Sequence, residues 1–257
     1  LSMSYKDLKL RVNHSELVGS GLTLLKLALP ADVPEILPGQ FVNILAPTCA
    51  GVLLRRPISV CDVRDGQLWI LVKDLGRGSR AIGECRPGDE LEVLLPLGHG
   101  FSTEVPENAR LLLVGGGVGI APLLYLGRKL REIGRKPEYI LGGRTAADVP
   151  MLYEFGRFGK VHVCTEDGSV GTKGFVTDHP LFAGKYDMIY CCGPKPMMLA
   201  VAKSAKARKI DCEVSLENKM ACGLGACLCC VEETTEGNLC TCTHGPVFNI
   251  NQLTWPI

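Results

Sequence analysis

Short apolar stretches alternate with turn signals through the first hundred residues of the chain. The turn signals include Pro38-Gly39, Asp65-Gly66 and Pro87-Gly88-Asp89, residue types that favour tight reversals of the backbone. Several short strands at this spacing are typical of a barrel or a sandwich, so the pattern predicts an all-β domain. The predicted strands are 5–13, 22–29, 41–45, 58–63, 68–73 and 90–95.

The pattern changes beyond residue 104, where apolar strands begin to alternate with helices. This alternation indicates a parallel sheet with helical crossovers. The predicted strands are 110–114, 138–141, 161–165 and 187–191, and the predicted helices are 122–133, 151–158 and 196–208. From residue 217 the regular pattern fades and cysteines become frequent. The chain is therefore predicted to divide into a β domain (1–103), an α/β domain (104–216) and a small cysteine-rich domain (217–257).

Composition and charge argue against several classes of partner. The formal net charge is +1 and aromatic residues make up 6% of the chain, so we expect no nucleic-acid partner. The longest apolar run, 111–126, holds four glycines and is shorter than the ~20 residues of a membrane-spanning helix. The first residues are polar and lack the apolar core of a signal peptide. Together with thirteen cysteines, this predicts a cytoplasmic protein whose thiols serve as metal ligands.

Six of the cysteines fall between residues 222 and 242. Cys222, Cys227 and Cys230 have the spacing C-x4-C-x2-C, and further cysteines follow. This is the spacing of plant-type [2Fe–2S] clusters, in which four thiolates hold two irons. Gly223 and Gly225 would let the backbone wrap closely around such a cluster. The segment therefore predicts a protein that moves single electrons.

Two points about the cysteine segment stay open on the residues alone. A structural zinc site is the alternative, but such sites usually use paired C-x2–4-C hooks, and Cys240-x-Cys242 would be a poor second hook. A bulky cluster fits the Gly-rich loop better. The fourth ligand is either Cys240 or Cys242, and Cys229 lies inside the loop as a further candidate.

A glycine-rich turn, 115–119, follows the apolar strand predicted at 110–114. Bare glycines let a pyrophosphate approach the backbone, and free N–H groups at the start of the next helix favour its charge. The spacing departs from the standard G-x-G-x-x-G, so this motif alone is weak. Cys192-Gly193-Pro194 strengthens it, because this tripeptide would end a parallel strand at the same carboxyl edge. Together the two segments predict a dinucleotide site.

A third motif lies in the β domain. Arg56 offers a fork of donors to a phosphate, Ser59 offers a hydroxyl, and Gly78-Ser79 allow a close approach of the backbone. Taken alone, this segment is more simply a turn with a surface arginine.

In the order in which they occur along the chain, the three motifs resemble those of the ferredoxin reductase superfamily: the Arg56 segment, the glycine turn with Cys192-Gly193-Pro194, and the C-terminal cysteine loop. The segments 216–223 and 245–248 are most similar to the iron–sulfur electron-transfer subunits of type B dihydroorotate dehydrogenase. The resemblance covers essentially the whole chain. It implies an antiparallel FAD-binding β-barrel at 1–103, a parallel NAD-binding α/β domain at 104–216 and a [2Fe–2S] domain at 217–257.

The resemblance also implies roles for individual residues. Arg56 would bind the FAD pyrophosphate, and Ser59 would lie near the flavin N5. Aligning the family backwards from Gly245 puts the fourth cluster ligand at Cys242, which leaves Cys229 and Cys240 as neighbours. The implied cofactor-binding residues are Arg56, Pro57, Ile58, Ser59, Leu71, Val72, Lys73, Gly78 and Ser79 for FAD, and Gly115, Gly116, Gly117, Gly119, Gly193 and Pro194 for NAD. The implied cluster ligands are Cys222, Cys227, Cys230 and Cys242.

Three other positions have more than one interpretation. His99 lies in a Gly-rich loop expected near the flavin, where a loop-spacing role is favoured over acid–base chemistry. Glu166 and Asp167 follow the third strand of the α/β domain and could bind nucleotide hydroxyls, although exposed carboxylates at strand ends are ordinary. Arg144 follows the second strand and could meet a 2′-phosphate. NAD is favoured by the resemblance, and NADP stays open.

The function implied by the resemblance is electron exchange between NAD(H) and the FMN-containing catalytic subunit of dihydroorotate dehydrogenase. Two subunits of each kind would form a heterotetramer that converts dihydroorotate and NAD+ to orotate and NADH in pyrimidine biosynthesis. One alternative keeps the redox module and changes the partner: the small subunit of a ferredoxin-dependent NAD(P) oxidoreductase or of a sulfide dehydrogenase-like complex. Another is a zinc-stapled binding module that uses its nucleotide fold for sensing.

Overall fold

The computed structural model describes residues 5–47 and 51–257, and it begins with a closed antiparallel barrel in the strand order β1-β2-β5-β4-β3-β6. In β1, the apolar Leu10 and Val12 are buried while Lys9 and Arg11 are exposed, as the two-residue period of a strand requires. The barrel strands are β1 (Lys6–Gly19), β2 (Leu22–Ala28), β3 (Phe41–Ile44), β4 (Arg56–Arg64), β5 (Gln67–Lys73) and β6 (Glu90–Leu97).

The next part of the chain forms a sheet in the strand order β10-β9-β8-β7-β11-β12-β15. All neighbouring strands are parallel except β12 and β15. β7 and β11 are buried along their whole length, as central strands of a covered parallel sheet are. The strands are β7 (Leu111–Gly116), β8 (Glu138–Gly143), β9 (Lys160–Thr165), β10 (Thr172–Lys173), β11 (Met188–Cys192), β12 (Asp211–Ser215) and β15 (Val247–Asn249). The helices are α2 (Ala121–Glu132), α3 (Leu152–Gly156) and α4 (Lys195–Arg208).

The cysteine-rich region is joined to both larger units. It contains a hairpin of β13 (Val231–Thr234) and β14 (Gly237–Cys240), and its last strand, β15, pairs with β12 of the parallel sheet. His99, in the loop after β6, forms an isolated bridge with Pro246. The predicted boundary at residue 216 thus lies between strands that share one sheet, and it stays a prediction.

The barrel and the parallel sheet share one apolar core. Leu22, Trp69 and Leu71 of the barrel pack in the same cluster as Leu113 and Tyr190 of the sheet. No helix in the two described ranges has the length and apolar character needed to cross a membrane.

The predicted fold class is confirmed, with differences in single elements. β1 runs six residues beyond its predicted end at residue 13, because its second half pairs with β2 after its first half pairs with β6. Only Leu152–Gly156 of the predicted helix 151–158 is α-helical. The pattern missed α1 (Arg77–Gly83), which is too short for a helical period to show, and β12, whose apolar residues are interrupted by charges.

Candidate cofactor sites

The loop from Cys222 to Cys230 has a backbone that only glycine adopts easily at two positions. Gly223 has φ 75° and Gly225 has φ 79°. A Cβ atom at Gly223 would lie 2.8 Å from Nδ2 of Asn43, and one at Gly225 would lie 2.9 Å from Cγ2 of Thr243. The loop is therefore wrapped tightly against the barrel on one side and against the segment after β14 on the other.

Four thiols of this region form two pairs. Cys222 interacts with Cys227, and Cys230 interacts with Cys242. Cys240 also contacts Cys230. Within the described ranges, no three His, Cys, Asp or Glu side chains converge on a single ion-sized point. Two adjacent thiol pairs are the donor set that a two-iron centre requires, with two protein ligands for each iron. The residues present therefore fit a [2Fe–2S] cluster.

Backbone N–H groups point at the sulfur atoms of both pairs. The N–H of Leu224 donates to Sγ of Cys222 at 3.3 Å, and that of Gly225 donates to Sγ of Cys242 at 3.1 Å. Burial raises the pKa of Cys222, but the hydrogen bonds from Leu224 and Cys227 reverse this and bring it to about 7. The thiolate is the form that binds metal, and the hydrogen bonds favour it at Cys222, whereas burial raises the pKa of Cys242.

The positions of Cys242, Cys240 and Cys229 bear on the choice of fourth ligand. Cys242 is fully buried, contacts Cys230 and accepts the N–H of Gly225 from the loop. Cys240 ends β14 and also contacts Cys230, but no N–H of the loop donates to its sulfur among the hydrogen bonds of the described residues. Burial and the contact with Cys230 raise the pKa of both Cys240 and Cys242. Cys229 is exposed. These contacts favour Cys242.

A cavity of about 740 Å³ lies at the carboxyl edge of the parallel sheet, where β7, β8 and β11 end. Its size suits a nucleotide-sized ligand. Gly117 has φ 56° and open space in front of it. A Cβ at Gly119 would lie 2.6 Å from the carbonyl oxygen of Cys192, so glycine is required for these turns to meet. The predicted NAD residues that line the cavity are Gly116, Gly117, Gly119, Gly193 and Pro194.

Gly115 does not line the cavity. A Cβ there would lie 3.0 Å from side-chain atoms of both Ile120 and Leu123, so this glycine allows β7 and α2 to pack closely. Its predicted role in binding NAD stays a prediction, and any contact would be made by its main chain.

Several residues that line the cavity belong to none of the sequence motifs. Arg144 and Glu166, at the ends of β8 and β9, both face it, as does the 63% exposed Phe175. Glu217, from the segment that leads to the cluster loop, lines the cavity too. Arg144 and Glu166 could be suspected from their positions after predicted strands. Phe175 and Glu217 lie outside any predicted element, and no signal pointed to them.

The predicted FAD residues lie in two places. The guanidinium of Arg56 rests on the backbone of Gly78, where a Cβ would lie 2.7 Å from its Nε. Ser79 accepts the N–H of Leu75 and donates to the carbonyl oxygen of Gly76. Pro57, Ile58 and Ser59 are half-buried along β4, and the side chain of Ile58 packs against the apolar cluster of the barrel. Arginine donors beside a bare backbone at the start of α1 fit a phosphate group.

The end of β5 was expected to line FAD, and its three predicted residues have different surroundings. Leu71 and Val72 are buried in two separate apolar clusters, so only their main chain is available to a ligand. Lys73 lines the nucleotide cavity, where its Nζ donates to the carbonyl oxygen of Ser20 at 2.5 Å and lies 3.6 Å from Oδ1 of Asp148. The cavity therefore reaches from the sheet to the barrel.

The loop with His99 packs on the tail of the chain. The N–H of His99 donates to the carbonyl oxygen of Gly245 at 2.6 Å, and a Cβ at Gly98 would lie 2.6 Å from the same oxygen. This contact supports the loop-spacing interpretation.

The cluster loop and the FAD segment are neighbours. Nδ2 of Asn43 donates to the carbonyl oxygen of Cys222 at 3.3 Å, and Asn43 pairs in register with Pro57 of β4. One residue of β3 thus separates the two predicted cofactor segments.

Comparisons with known proteins agree with this arrangement. Residues 217–254 match the family described as the iron–sulfur cluster binding domain of dihydroorotate dehydrogenase B. The chain is 42% identical over 225 residues to the electron transfer subunit of dihydroorotate dehydrogenase B (NAD(+)) from Geobacillus kaustophilus, with 84% of this chain and 86% of the relative covered. It is 36% identical to that subunit from Bacillus mycoides, with 98% and 99% covered.

A solved structure shows the same architecture over nearly the whole chain. The NADH-dependent reduced ferredoxin-NADP oxidoreductase, studied for flavin-based electron bifurcation, superimposes with a TM-score of 0.85 at 29% identity. The match covers 96% of this chain and 90% of the oxidoreductase chain.

Proposed function

This chain belongs to the family of dihydroorotate dehydrogenase B electron transfer subunits, and we propose that it exchanges electrons between NAD(H) and an FMN-containing catalytic subunit. The observation that carries the proposal is the two thiol pairs at 222–242, held one residue of β3 away from the segment around Arg56. Net turnover would take two electrons and two protons from dihydroorotate, giving orotate, NADH and a proton.

We assign the cluster to Cys222, Cys227, Cys230 and Cys242. The N–H groups of Leu224 and Gly225 support this assignment, since they donate to sulfur atoms of both pairs. Hydrogen bonds to the sulfurs and limited solvent exposure are features by which proteins set cluster potentials.

We assign FAD to the groove along β4, with Arg56, Gly78 and Ser79 at its phosphates and Pro57, Ile58 and Ser59 along the strand. NAD is assigned to the cavity of about 740 Å³, with its pyrophosphate at Gly116, Gly117 and Gly119. In this arrangement Gly193 and Pro194 close one wall of the cavity, and Lys73 lines it from the barrel side. The main chain of Leu71, Val72 and Lys73 would line FAD.

When bound, FAD supplies the exchange between a two-electron hydride carrier and single electrons, and the [2Fe–2S] cluster supplies a one-electron relay. The chain's own residues would bind and orient the cofactors and exclude water from the cavity. Glycines at the carboxyl edge of the sheet bring the backbone N–H groups close to phosphate oxygens. The apolar Leu22, Leu75 and Phe175 line the cavity and reduce its access to water.

We place the catalytic partner at the cluster loop. Cys227 is exposed, and the neighbouring Leu228 is 65% exposed, so this loop lies at the surface. Exposed apolar side chains at a redox centre are suited to an interface through which electrons pass. A heterotetramer with two subunits of each kind is part of the proposal.

Co-expression with a candidate FMN subunit tests this function. The expected result is a purified complex with flavin bands, iron and acid-labile sulfide that reduces NAD+ when dihydroorotate is added. A colourless, zinc-containing protein would contradict the proposal.

A second candidate is favoured by the high structural similarity to the NADH-dependent reduced ferredoxin-NADP oxidoreductase. In that case the chain would be the small subunit of a ferredoxin-linked complex. Copurification with a large iron–sulfur flavoprotein, and NAD(P)H formation from reduced ferredoxin without dihydroorotate, would favour this candidate over the first.

A further inference from the structure

Helix α2 is held against the barrel by a buried ion pair. Asp62 lies in β4 and its side chain is fully buried. Arg128 of α2 donates from Nε to Oδ1 of Asp62 at 2.8 Å and from Nη2 to the carbonyl oxygen of Val63 at 2.5 Å. One turn earlier on the helix, the hydroxyl of Tyr125 donates to the carbonyl oxygen of Ile36 at 2.7 Å. Arg128 therefore binds the side chain and the main chain of one barrel strand at once.

A second arginine extends the contact to helix α3. Nη2 of Arg64, at the end of β4, donates to Oε2 of Glu154 at 2.7 Å, and its Nε lies 3.4 Å from Oδ2 of Asp62. Arg157 also donates to Glu154, at 3.1 Å. Both helices that flank this side of the sheet are thus ion-paired to the same strand.

The elements joined by Arg128 carry the two predicted cofactor segments at their other ends. β4 begins at Arg56, within the proposed FAD groove, and reaches Asp62 six residues later. α2 begins at Ala121, directly after the glycine turn that lines the nucleotide cavity. β4 pairs with β3 over 56–59 and with β5 over 60–64, with an irregularity between Val60 and Asp62, so both parts of the strand are fixed within the barrel. A contact between α2 and Asp62 therefore sets where the helix lies relative to Arg56.

We propose that Arg128 is a positioning residue: by binding Asp62 and the Val63 carbonyl, it sets the distance between the flavin groove and the nucleotide cavity for hydride exchange. This inference rests on the function proposed above. Apolar packing between α2 and the barrel is non-directional, whereas a guanidinium that makes two charge-assisted bonds fixes distance and angle. A misplacement of about 1 Å between reacting groups can slow a reaction about 100-fold.

The test compares Arg128→Met and Arg128→Lys with Arg131→Met, an exposed arginine on the same helix, in the full chain loaded with FAD. In stopped-flow reduction of bound FAD by NADH, we expect Arg128→Met to lower the rate constant at saturating NADH by about 10- to 100-fold. The NADH concentration for half-maximal rate should change by less than about twofold, and Arg128→Lys should recover part of the rate. Arg131→Met should match the unmodified protein.

A double variant separates positioning from stability. Replacing a buried ion pair by apolar residues often preserves or raises stability, so Asp62→Leu with Arg128→Met should fold well even if Arg128→Met alone does not. We expect its thermal midpoint to recover while its rate constant stays low. Recovery of the rate together with stability would overturn the proposal, since apolar packing would then suffice.

Hydrogen exchange on the FAD-free protein gives a readout that does not depend on activity. Amides of β4 and α2 should exchange faster in Arg128→Met than in Arg131→Met, and equal protection would overturn the proposed contact. If the unmodified protein cannot reduce bound FAD with NADH, the proposed function fails, and the exchange result still decides whether Arg128 holds the two domains together.

Discussion

The cluster loop and the nucleotide cavity are built in opposite ways. Three of the four proposed cluster ligands lie within the nine residues from Cys222 to Cys230, and the fourth arrives on the segment after β14. The cavity draws its walls from the barrel, four strand ends of the sheet and the segment at Glu217. The loop is therefore a local structure, whereas the cavity exists only when the distant elements pack correctly.

This difference predicts how each site responds to change. In the loop, each proposed ligand is a single side chain that cannot be replaced, while the backbone is held by Asn43 of the barrel and by the segment after β14. In the cavity, most contacts to a ligand would come from main chain and glycine, so steric changes should matter more than loss of a functional group. Single substitutions in the loop and in the cavity test that contrast.

Loss of a ligand should have the largest effect. We expect Cys222→Ala, Cys227→Ala, Cys230→Ala and Cys242→Ala each to abolish cluster assembly, because a [2Fe–2S] centre needs four thiolates. Cys229→Ala and Cys240→Ala are the matched controls and should retain iron and sulfide. Iron analysis and the visible spectrum of anaerobically purified protein provide the measurement. Retention of the cluster in Cys242→Ala together with its loss in Cys240→Ala would exchange the two assignments.

A methyl group in the cavity should have the next largest effect. In Gly119→Ala, the Cβ would lie 2.6 Å from both the Cys192 carbonyl oxygen and Cα of Gly193, which are backbone atoms that cannot step aside cheaply. We expect a loss of about 1–3 kcal/mol in the free energy of unfolding. NADH binding should weaken at least about tenfold, or 1.4 kcal/mol, because the two turns separate.

Gly156→Ala is the control for that substitution. Nothing lies within 4 Å of a Cβ at Gly156, at the end of α3, so stability and NADH binding should be unchanged or slightly improved. Denaturant unfolding and NADH titration of the two variants give the comparison. If the two variants had the same stability and the same NADH affinity, the turns at Gly119 and Cys192 would be able to move apart without cost, and the prediction would be wrong.

The same contrast explains what could be predicted from the sequence. Cys222, Cys227 and Cys230 could be named as candidate ligands because the spacing of ligands within a loop is visible directly in the sequence. The glycine turn at 115–119 could be named for the same reason, and the role of Gly115 in binding NAD stays a prediction, since a Cβ there would meet Ile120 and Leu123. Phe175 and Glu217 were missed, because only tertiary packing brings them to the cavity. Leu71 and Val72 were predicted to line FAD, and their side chains are buried, that of Val72 in the barrel cluster and that of Leu71 in the cluster shared with the sheet. Their predicted role stays a prediction for the main chain.

A charge change at the cavity should give a smaller effect. Glu166 and Arg144 both face the cavity, and a carboxylate there would repel a ribose 2′-phosphate. In Glu166→Gln we expect the ratio of NADH to NADPH affinity to fall about tenfold, with most of the change in NADPH. Arg144→Gln should shift the ratio the other way, and Glu236→Gln, on the distant hairpin, should leave it unchanged. An unchanged ratio in Glu166→Gln would place the ribose elsewhere.

The smallest effect is expected at the contact between the barrel and the cluster loop. Asn43 is fully buried, and its Nδ2 donates to the carbonyl oxygen of Cys222 at 3.3 Å. Asn43→Ala removes that bond and should lower the free energy of unfolding by about 1–2 kcal/mol. Iron content at purification should remain near that of the unmodified protein, because all four thiolates are present, but chelators should remove iron faster.

Asn218→Ala is the matched control for this last comparison. Nδ2 of Asn218 donates to Oε2 of Glu232 at 2.9 Å and to the carbonyl oxygen of Val231 at 3.4 Å, so it ties the segment before the loop to the β13–β14 hairpin. A similar loss of stability without faster iron release is expected. Equal rates of iron release in the two variants would contradict this expectation. The bond from Asn43 would then protect the cluster no better than any other hydrogen bond near the cysteines.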